Sequence, residues 1–256
     1  MSKVFEWIFR IKPEDITLMF KYGVTNFNAG LLEACRRGSI ETAKLMIEKG
    51  ATDFNTGFRL ACYNGYTEIA KLLIEKGTID LNEGLHLACK DDGNIEIAKI
   101  MIEKGTSNLN IGLYYACLCG HIEIAKLLIE KGATDFNRGL VSACRLGHIE
   151  IVKLMIEKGA NNFNAGLLDA CNRGNIEIVK LMIEKGANDF NAGLLEACKC
   201  GNIEIVELLI KMGASDIIGG FRMAGNFNKS EVVKMFLEKK LIDINEILCF
   251  LACKKF

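Results

Sequence analysis

The chain has 256 residues, half of them apolar, and its 32 basic and 32 acidic side chains balance. This balance argues against a dedicated nucleic-acid or membrane binder. No uninterrupted apolar run approaches the ~18 residues that cross a membrane. The apolar stretch near the N-terminus is broken by Glu6, which makes it too short for the core of a signal peptide.

The first segment, residues 1–27, predicts an N-terminal cap repeat of two helices. Pro13 lies in the first turn of the second helix, where its missing N–H does no harm. The stretch Pro13–Gly23 aligns with Ile40–Gly50 of the following repeat. Polar residues of this terminal unit are expected to cover an apolar face that has no neighbour.

Residues 28–218 repeat one block that contains an alanine–cysteine pair. The cysteines of successive pairs are 27 residues apart, except for one spacing of 28 between Cys89 and Cys117. They are Cys35, Cys62, Cys89, Cys117, Cys144, Cys171 and Cys198. A fixed period of this size is typical of a stacked array, in which each unit packs only on its neighbours.

Each block predicts two helices. In the first regular block Asn28 is expected to cap a first helix over 29–37, which Gly38 ends, and a second helix follows from Ser39 to Gly50. Places 31, 34 and 35 cluster on one side of the first helix and predict its buried face. Place numbers refer throughout to this block and to the counterparts of its residues in the other repeats. Glu and Lys three or four residues apart on the second helix predict a solvated outer face.

The cysteines beside alanine fill a place that needs a small apolar side chain. Counterparts in neighbouring repeats are expected ~10 Å apart, which is beyond the ~7 Å that a disulfide permits between Cα atoms. The thiols are therefore expected to be reduced. Reduced thiols are typical of an intracellular protein, in the cytoplasm or the nucleus.

Residues 219–256 predict a degenerate repeat and a C-terminal cap. Gly225 replaces the core cysteine, and Asn228 replaces the glycine that ends the first helix. A half repeat, Ile247–Lys254, follows.

The second helix carries the most specific motif. The run Gly147-His-Ile-Glu-Ile-Val-Lys-Leu-Met-Ile-Glu-Lys-Gly-Ala160 resembles the second helix of an ankyrin repeat. The alanine–cysteine pair resembles the small alanine pair of that family's first helix. The resemblance covers nearly the whole chain. It implies an all-α, ankyrin-type helical solenoid of about nine helix-pair repeats plus a C-terminal half repeat, in a single domain over 1–256.

The repeats depart from the family in length. Ordinary ankyrin repeats have about 33 residues, and these have 27. The missing stretch lies between Asn28 and Leu31, where the family carries a β-hairpin finger and a Thr-Pro-Leu-His turn. We therefore expect the fingers to be lost, with little or no strand. Shortened repeats of this kind resemble those abundant in large DNA viruses of amoebae.

The resemblance implies a scaffold that binds a partner protein along the concave face formed by the first helices. Places 32, 33, 36 and 37 lie opposite the predicted core and differ between repeats, so they are free to serve a partner or free to drift. Tyr and Arg among them are typical of binding hot spots. The expected partner-binding residues, on one continuous surface, are Arg59, Tyr63, His86, Lys90, Tyr114, Tyr115, Leu118 and Arg145. Basic residues outnumber acidic ones at these places, which favours an acidic protein segment as the ligand.

Other functions fit the sequence less well. A structural spacer or self-assembling rod would oligomerise through its terminal units, whereas a monomer is favoured here. A nucleic-acid binder needs a stronger basic stripe. Cys117-Leu-Cys119-Gly-His121 contains metal-ligand residue types, but Cys117 is a predicted core residue and no second cluster completes four ligands. Since no phosphate loop or catalytic set is found, we expect no enzyme, no metal and no cofactor.

Overall fold

The computed structural model describes residues 26–77, 80–90 and 93–242, and within them it contains sixteen α-helices and no strand. The expectation of an all-α repeat protein without hairpin fingers is confirmed for these residues. Odd-numbered helices are the first helices of the repeats and even-numbered ones the second. They are α1 Phe27–Arg37, α2 Ile40–Glu48, α3 Phe54–Tyr63, α4 Thr67–Lys76, α5 Leu81–Cys89, α6 Ile95–Glu103, α7 Leu109–Cys119, α8 Ile122–Glu130, α9 Phe136–Leu146, α10 Ile149–Glu157, α11 Phe163–Arg173, α12 Ile176–Glu184, α13 Phe190–Cys200, α14 Ile203–Lys211, α15 Ile217–Asn226 and α16 Ser230–Glu238. The predicted helices of the N-terminal cap and the half repeat at 247–254 lie outside the described residues.

The chain divides into two compact units between Tyr115 and Ala116, inside α7. We call the described residues up to Tyr115 unit 1 and those from Ala116 onward unit 2. In each unit a first helix packs against the second helix of its own repeat and against the first helix of the next. In unit 1, α3 packs in this way on α4 and α5, and in unit 2 α11 packs on α12 and α13. Each repeat therefore buries its apolar sides against its neighbours.

Places 31, 34 and 35 form the core, as predicted. Leu140, Ala143 and Cys144 are fully buried, and their counterparts in the other described repeats are buried too, apart from Gly225, which stands at the cysteine place. The nine cysteines in the described part of the chain are all free thiols. Burial raises the pKa of the Cys144 thiol to about 12, because a thiolate would lose its hydration there. The Cys144 thiol therefore stays protonated near neutral pH.

The first helices begin two residues earlier than predicted. Asn26, not Asn28, caps α1, and its side chain accepts a hydrogen bond from the Ala29 N–H at 3.1 Å. Asp53 and Asp80 cap α3 and α5 in the same way. The prediction of Asn28 as the cap was wrong because suitable cap residues stand on both sides of the phenylalanine that begins the helix, and the second one is used elsewhere.

Asn28 links its repeat to the next one. Its Oδ1 accepts hydrogen bonds from the backbone N–H groups of Thr52 and Asp53, at 2.8 and 3.0 Å. Asn137, Asn164 and Asn191 accept the equivalent pair of bonds from residues 24 and 25 positions later. We call this row the asparagine ladder. It ties the loop that follows a second helix back to the first helix of the same helix pair, without a hairpin.

The second helices carry the predicted charged outer face. Lys71 Nζ lies 2.8 Å from Glu68 Oε1, and Lys153 Nζ lies at the same distance from Glu150 Oε1. Both pairs are well exposed to solvent, so each contributes little to stability. Their consequence is a polar surface on the side opposite the first helices.

The degenerate repeat keeps its turn through an asparagine. Asn228 has a φ of 55°, in the left-handed region, and its counterpart Gly201 has a φ of 88°. Asparagine enters this region more readily than other residues with a side chain. The helices α15 and α16 therefore retain the pattern of the other repeats.

Candidate partner-binding surface

Places 32, 33, 36 and 37 lie on the side of the first helices away from the core. In unit 1 the six predicted site residues at these places are partly or fully exposed, whereas Leu85 and Ala88 on the opposite side of α5 are fully buried. The six are Arg59 and Tyr63 on α3, His86 on α5, Lys90 directly after α5, and Tyr114 and Tyr115 on α7.

Three of these residues form an aromatic cluster, His86, Tyr114 and Tyr115. The His86 and Tyr115 ring centroids lie 4.1 Å apart with an interplanar angle of 34°, and Tyr114 meets Tyr115 edge-on at 4.9 Å. His86 Nε2 is buried and has no hydrogen-bond partner among the described residues, which costs free energy. Stacking on Tyr115, rather than a hydrogen bond from Nε2, therefore helps to hold the imidazole ring in place.

Arg59 makes an ion pair with the neighbouring repeat. Its Nε lies 3.4 Å from Glu83 Oε1, and 64% of the arginine side chain is exposed. A pair this exposed is worth about 0–1 kcal/mol. The guanidinium is therefore available to a partner at little cost.

Tyr63 and Lys90 lie beside a groove of about 400 Å³ between the ends of α3 and α5. Leu87 contributes to its lining. Tyr63 is 63% exposed, more than any other large apolar residue that the structure describes. A partner protein can cover the solvent-exposed Tyr63 ring, which lines the same groove as Lys90.

The two predicted site residues of unit 2 already have neighbours. The Leu118 carbonyl oxygen lies 3.1 Å from His148 Nε2, so His148 links two neighbouring repeats. Arg145 donates from Nη2 to Asp169 Oδ2 at 3.2 Å. Their role in binding stays a prediction.

Comparison with known families decides the identity of the fold. A model described as "Ankyrin repeats (3 copies)" matches four overlapping segments, 31–113, 58–139, 85–165 and 140–218. The chain belongs to the ankyrin repeat family. Ankyrin repeats generally mediate protein–protein interactions, and the family is typically non-catalytic. No curated protein matches the chain.

Sequence reasoning missed a set of side-chain pairs between these ankyrin repeats. Arg145 pairs with Asp169, and Asn172 donates to Glu196 Oε2 at 2.6 Å. The two residues of each pair are 24 positions apart, as are Arg59 and Glu83. We call these contacts lateral pairs. Complementary residues at a spacing of 24 are the sequence signal that could have revealed them.

Other sites are not evident in this ankyrin array. Within the described ranges, no group of three or more His, Cys, Asp and Glu side chains could hold a metal ion. Cys117 is a buried core residue, as predicted, and burial raises the pKa of its thiol to about 12. None of the helices described combines the length and apolar character needed to cross a bilayer.

Proposed function

We propose that this ankyrin repeat protein is a non-catalytic scaffold that binds a partner protein along the face formed by its first helices, the concave face of the family. The observation that carries the proposal is the aromatic cluster of unit 1. His86, Tyr114 and Tyr115 occupy places 32 and 33, where every other described repeat has a non-aromatic residue. Leucine, alanine and cysteine residues already fill the core at places 31, 34 and 35. The array therefore does not need these rings for its own packing.

Rings held in this way suit protein binding. Tyrosine buries a large area and has few side-chain torsions to immobilise, which is why it is frequent at hot spots. The stack of His86 on Tyr115 reduces that freedom further before any partner arrives. Less entropy is then lost on association.

The proposed partner segment is acidic. Lys90 is exposed, and no ion pair to it is found among the described residues. Arg59 is held only by an exposed pair with Glu83. Both cations lie on the same side of unit 1 as the aromatic cluster. When apolar side chains of the partner bind to that cluster, a neighbouring carboxylate of the partner would pair with one of these cations.

The lateral pairs of unit 2 favour a second candidate, a structural spacer or self-assembling rod. Arg145 and Asn172 are paired within the array, so that part of the surface has fewer polar groups free to bind a partner. Nucleic-acid binding is the least favoured function, because the net charge is zero and such binding needs phosphate-neutralising residues.

The proposed setting is the interior of a cell, in the cytoplasm or the nucleus, with the protein acting as a monomer. The free cysteines support it, because reducing compartments keep thiols in this state. The 27-residue repeats support an origin in a large DNA virus of amoebae, and a viral protein would act inside its host cell.

A crosslinking pull-down from the native cell tests the proposal. The double variant His86→Ala/Tyr115→Ala is expected to capture about tenfold less partner than the unmodified chain, because hot-spot residues are lost. The variant loses a ring pair worth about 0.5–1.5 kcal/mol, so its thermal unfolding shifts by only a few degrees. Leu168→Ala, at place 32 of unit 2, is the matched control.

Each alternative gives a different result in the same experiment. Equal capture by the double variant and the control would remove the aromatic cluster from the binding surface. Capture that nuclease abolishes would indicate nucleic acid. Concentration-dependent oligomers with no captured protein would indicate the rod.

A further inference from the structure

One segment of unit 1 carries a motif outside the predicted partner-binding residues. Arg36 and Arg37 end α1, Gly38 forms the turn, and Ser39 precedes α2. The chain contains no other pair of adjacent arginines. The counterparts of Ser39 in the other described repeats are tyrosine, asparagine, histidine or lysine. The arginine pair and the serine therefore occur together in one repeat.

The two arginines carry exposed positive charge. The Arg36 side chain is 58% exposed and the Arg37 side chain 45% exposed, and both pair with the Glu33 carboxylate. Each guanidinium has five N–H donors, so one carboxylate shared between two of them does not exhaust their capacity. A second acidic group can therefore bind the two guanidinium groups alongside Glu33 or in its place.

Ser39 is partly exposed, and its hydroxyl does not cap α2. A capping serine accepts a hydrogen bond from a backbone N–H of the first turn, and Ser39 makes no such bond. Its Oγ donates instead to Thr42 Oγ1 at 2.8 Å. The backbone of Ser39 is extended, with φ −87° and ψ 90°. The hydroxyl can therefore react without the loss of a helix cap.

We propose that Ser39 is a phosphorylation site for a basophilic serine/threonine kinase, which is a kinase with an acidic substrate groove. Such a groove binds arginine side chains three and two residues before the serine and an apolar side chain directly after it. The segment Arg36-Arg37-Gly38-Ser39-Ile40 has this order. Kinases distinguish substrates largely by charge patterns of this kind, so the arginine pair provides the specificity. This inference is independent of the proposed function.

The phosphoryl donor is ATP bound to magnesium. Ser39 Oγ forms a bond to the γ-phosphorus, the bond from that phosphorus to the oxygen shared with the β-phosphate breaks, and ADP leaves with the electron pair. The hydroxyl proton passes to a carboxylate of the kinase. The products are phosphoserine and ADP.

The turn at Gly38 has to open for this reaction, because a kinase binds its substrate segment extended. Gly38 has a φ of 78°, in the left-handed region, and the Tyr66 ring lies against it. Opening of a helix end costs much less free energy than global unfolding. The reaction therefore requires only local opening at the end of α1.

A phosphate on Ser39 would act on the same segment. It adds close to two negative charges, two and three residues away from the arginines. Arginine binds phosphate through paired hydrogen bonds, so the phosphoserine would compete with Glu33 for Arg36 and Arg37. Phosphorylation would thus change the charge presented at places 33, 36 and 37 of this repeat.

Kinase assays on the full chain test the proposal. The probe is the catalytic domain of a basophilic serine/threonine kinase with ATP and Mg²⁺, and tandem mass spectrometry locates the phosphate. We expect Ser39 to be the main site and Ser39→Ala to lose most of the incorporation. Arg36→Ala/Arg37→Ala should lower kcat/KM for the chain about tenfold or more, because charge-assisted contacts are lost.

Arg173→Ala is the matched control, since it removes an exposed arginine from place 37 of a repeat that has Asn175 in place of the serine. Its kcat/KM should stay within about twofold of the unmodified chain, because a distant exposed charge is screened. Ser230 is an internal control, because it is exposed and follows Lys229 but has no arginine two or three residues before it. Circular dichroism of each variant confirms that the helices are retained.

A synthetic peptide of residues 35–42 separates the motif from the fold. Phosphorylation of the peptide but not of the full chain would show that the folded turn withholds Ser39, and would overturn the proposal. Equal kcat/KM for the double arginine variant and the unmodified chain would overturn it too, as would phosphate on Ser230 at the rate of Ser39. None of these results bears on partner capture through the aromatic cluster.

Discussion

At the scale of single residues, the asparagine ladder shows how a shortened repeat stays connected. Asn164 Oδ1 accepts hydrogen bonds from the N–H groups of Asn188 and Asp189, at 2.8 and 3.1 Å. These backbone donors lie in the loop before α13, which has no strand partners to satisfy them. One side-chain oxygen thus serves two backbone groups of the next repeat.

Replacing Asn164 is expected to destabilise the protein. Asn164→Ala should lower the free energy of unfolding by about 1–2 kcal/mol, because two hydrogen bonds to exposed donors are lost. Urea titration followed by circular dichroism measures the change. Asn226→Ala is the control, since no side-chain hydrogen bond of that exposed residue is found within the described ranges. Equal effects of the two variants would contradict the role of the ladder.

The cap error and the missed ladder have one cause. The sequence places Asn or Asp on both sides of the phenylalanine, and helix rules make either an acceptable cap. The choice depends on where the second residue finds partners, and those are 24 residues away. Local rules cannot supply that distance. The core was predictable because burial follows from helical periodicity within one repeat.

At the scale of the helical elements, the first helices α1, α9, α11 and α13 each end on a glycine in the left-handed region. Gly201 ends α13 with a φ of 88°. A Cβ at this position would lie 3.1 Å from the Lys229 side chain, which is flexible enough to move. Backbone conformation, rather than space, therefore restricts the position to glycine and asparagine.

Two substitutions at Gly201 separate these effects. Gly201→Ala should lower the free energy of unfolding by about 1–2 kcal/mol, because alanine is strained in this region. Gly201→Asn should cost clearly less, since Asn228 already occupies the counterpart position in the next repeat. Chemical denaturation of the three proteins measures the difference. A larger loss for Asn than for Ala would show that packing, not conformation, controls the turn.

The groove between α3 and α5 shows what the element pattern left undetermined. The spacing of 28 between Cys89 and Cys117 revealed one extra residue in that repeat. It did not reveal that α5 ends early or that a groove opens beside Tyr63. Both depend on the packing of neighbouring first helices. The fold was therefore predictable from the residues that all repeats share, whereas the site depends on residues that differ between repeats.

At the scale of the whole molecule, the two units differ in what their first helices present. Unit 1 carries the aromatic cluster and the groove, and unit 2 carries lateral pairs such as Arg145–Asp169. The sequence predicted eight partner-binding residues on one surface. Six of them lie in unit 1, and one of the remaining two is held by an ion pair. The first-helix face of unit 1 is the part that we expect a partner to cover.

Hydroxyl-radical footprinting of the full chain with its captured partner tests this claim most directly. Tyr63, His86, Tyr114 and Tyr115 are reactive side chains on the proposed surface, and Met212 and Phe227 are exposed reporters in unit 2. We expect the partner to reduce oxidation of the first four several-fold and to leave the two reporters unchanged. Unchanged oxidation of the first four, with protection of Met212 or Phe227 instead, would contradict binding at the first-helix face of unit 1.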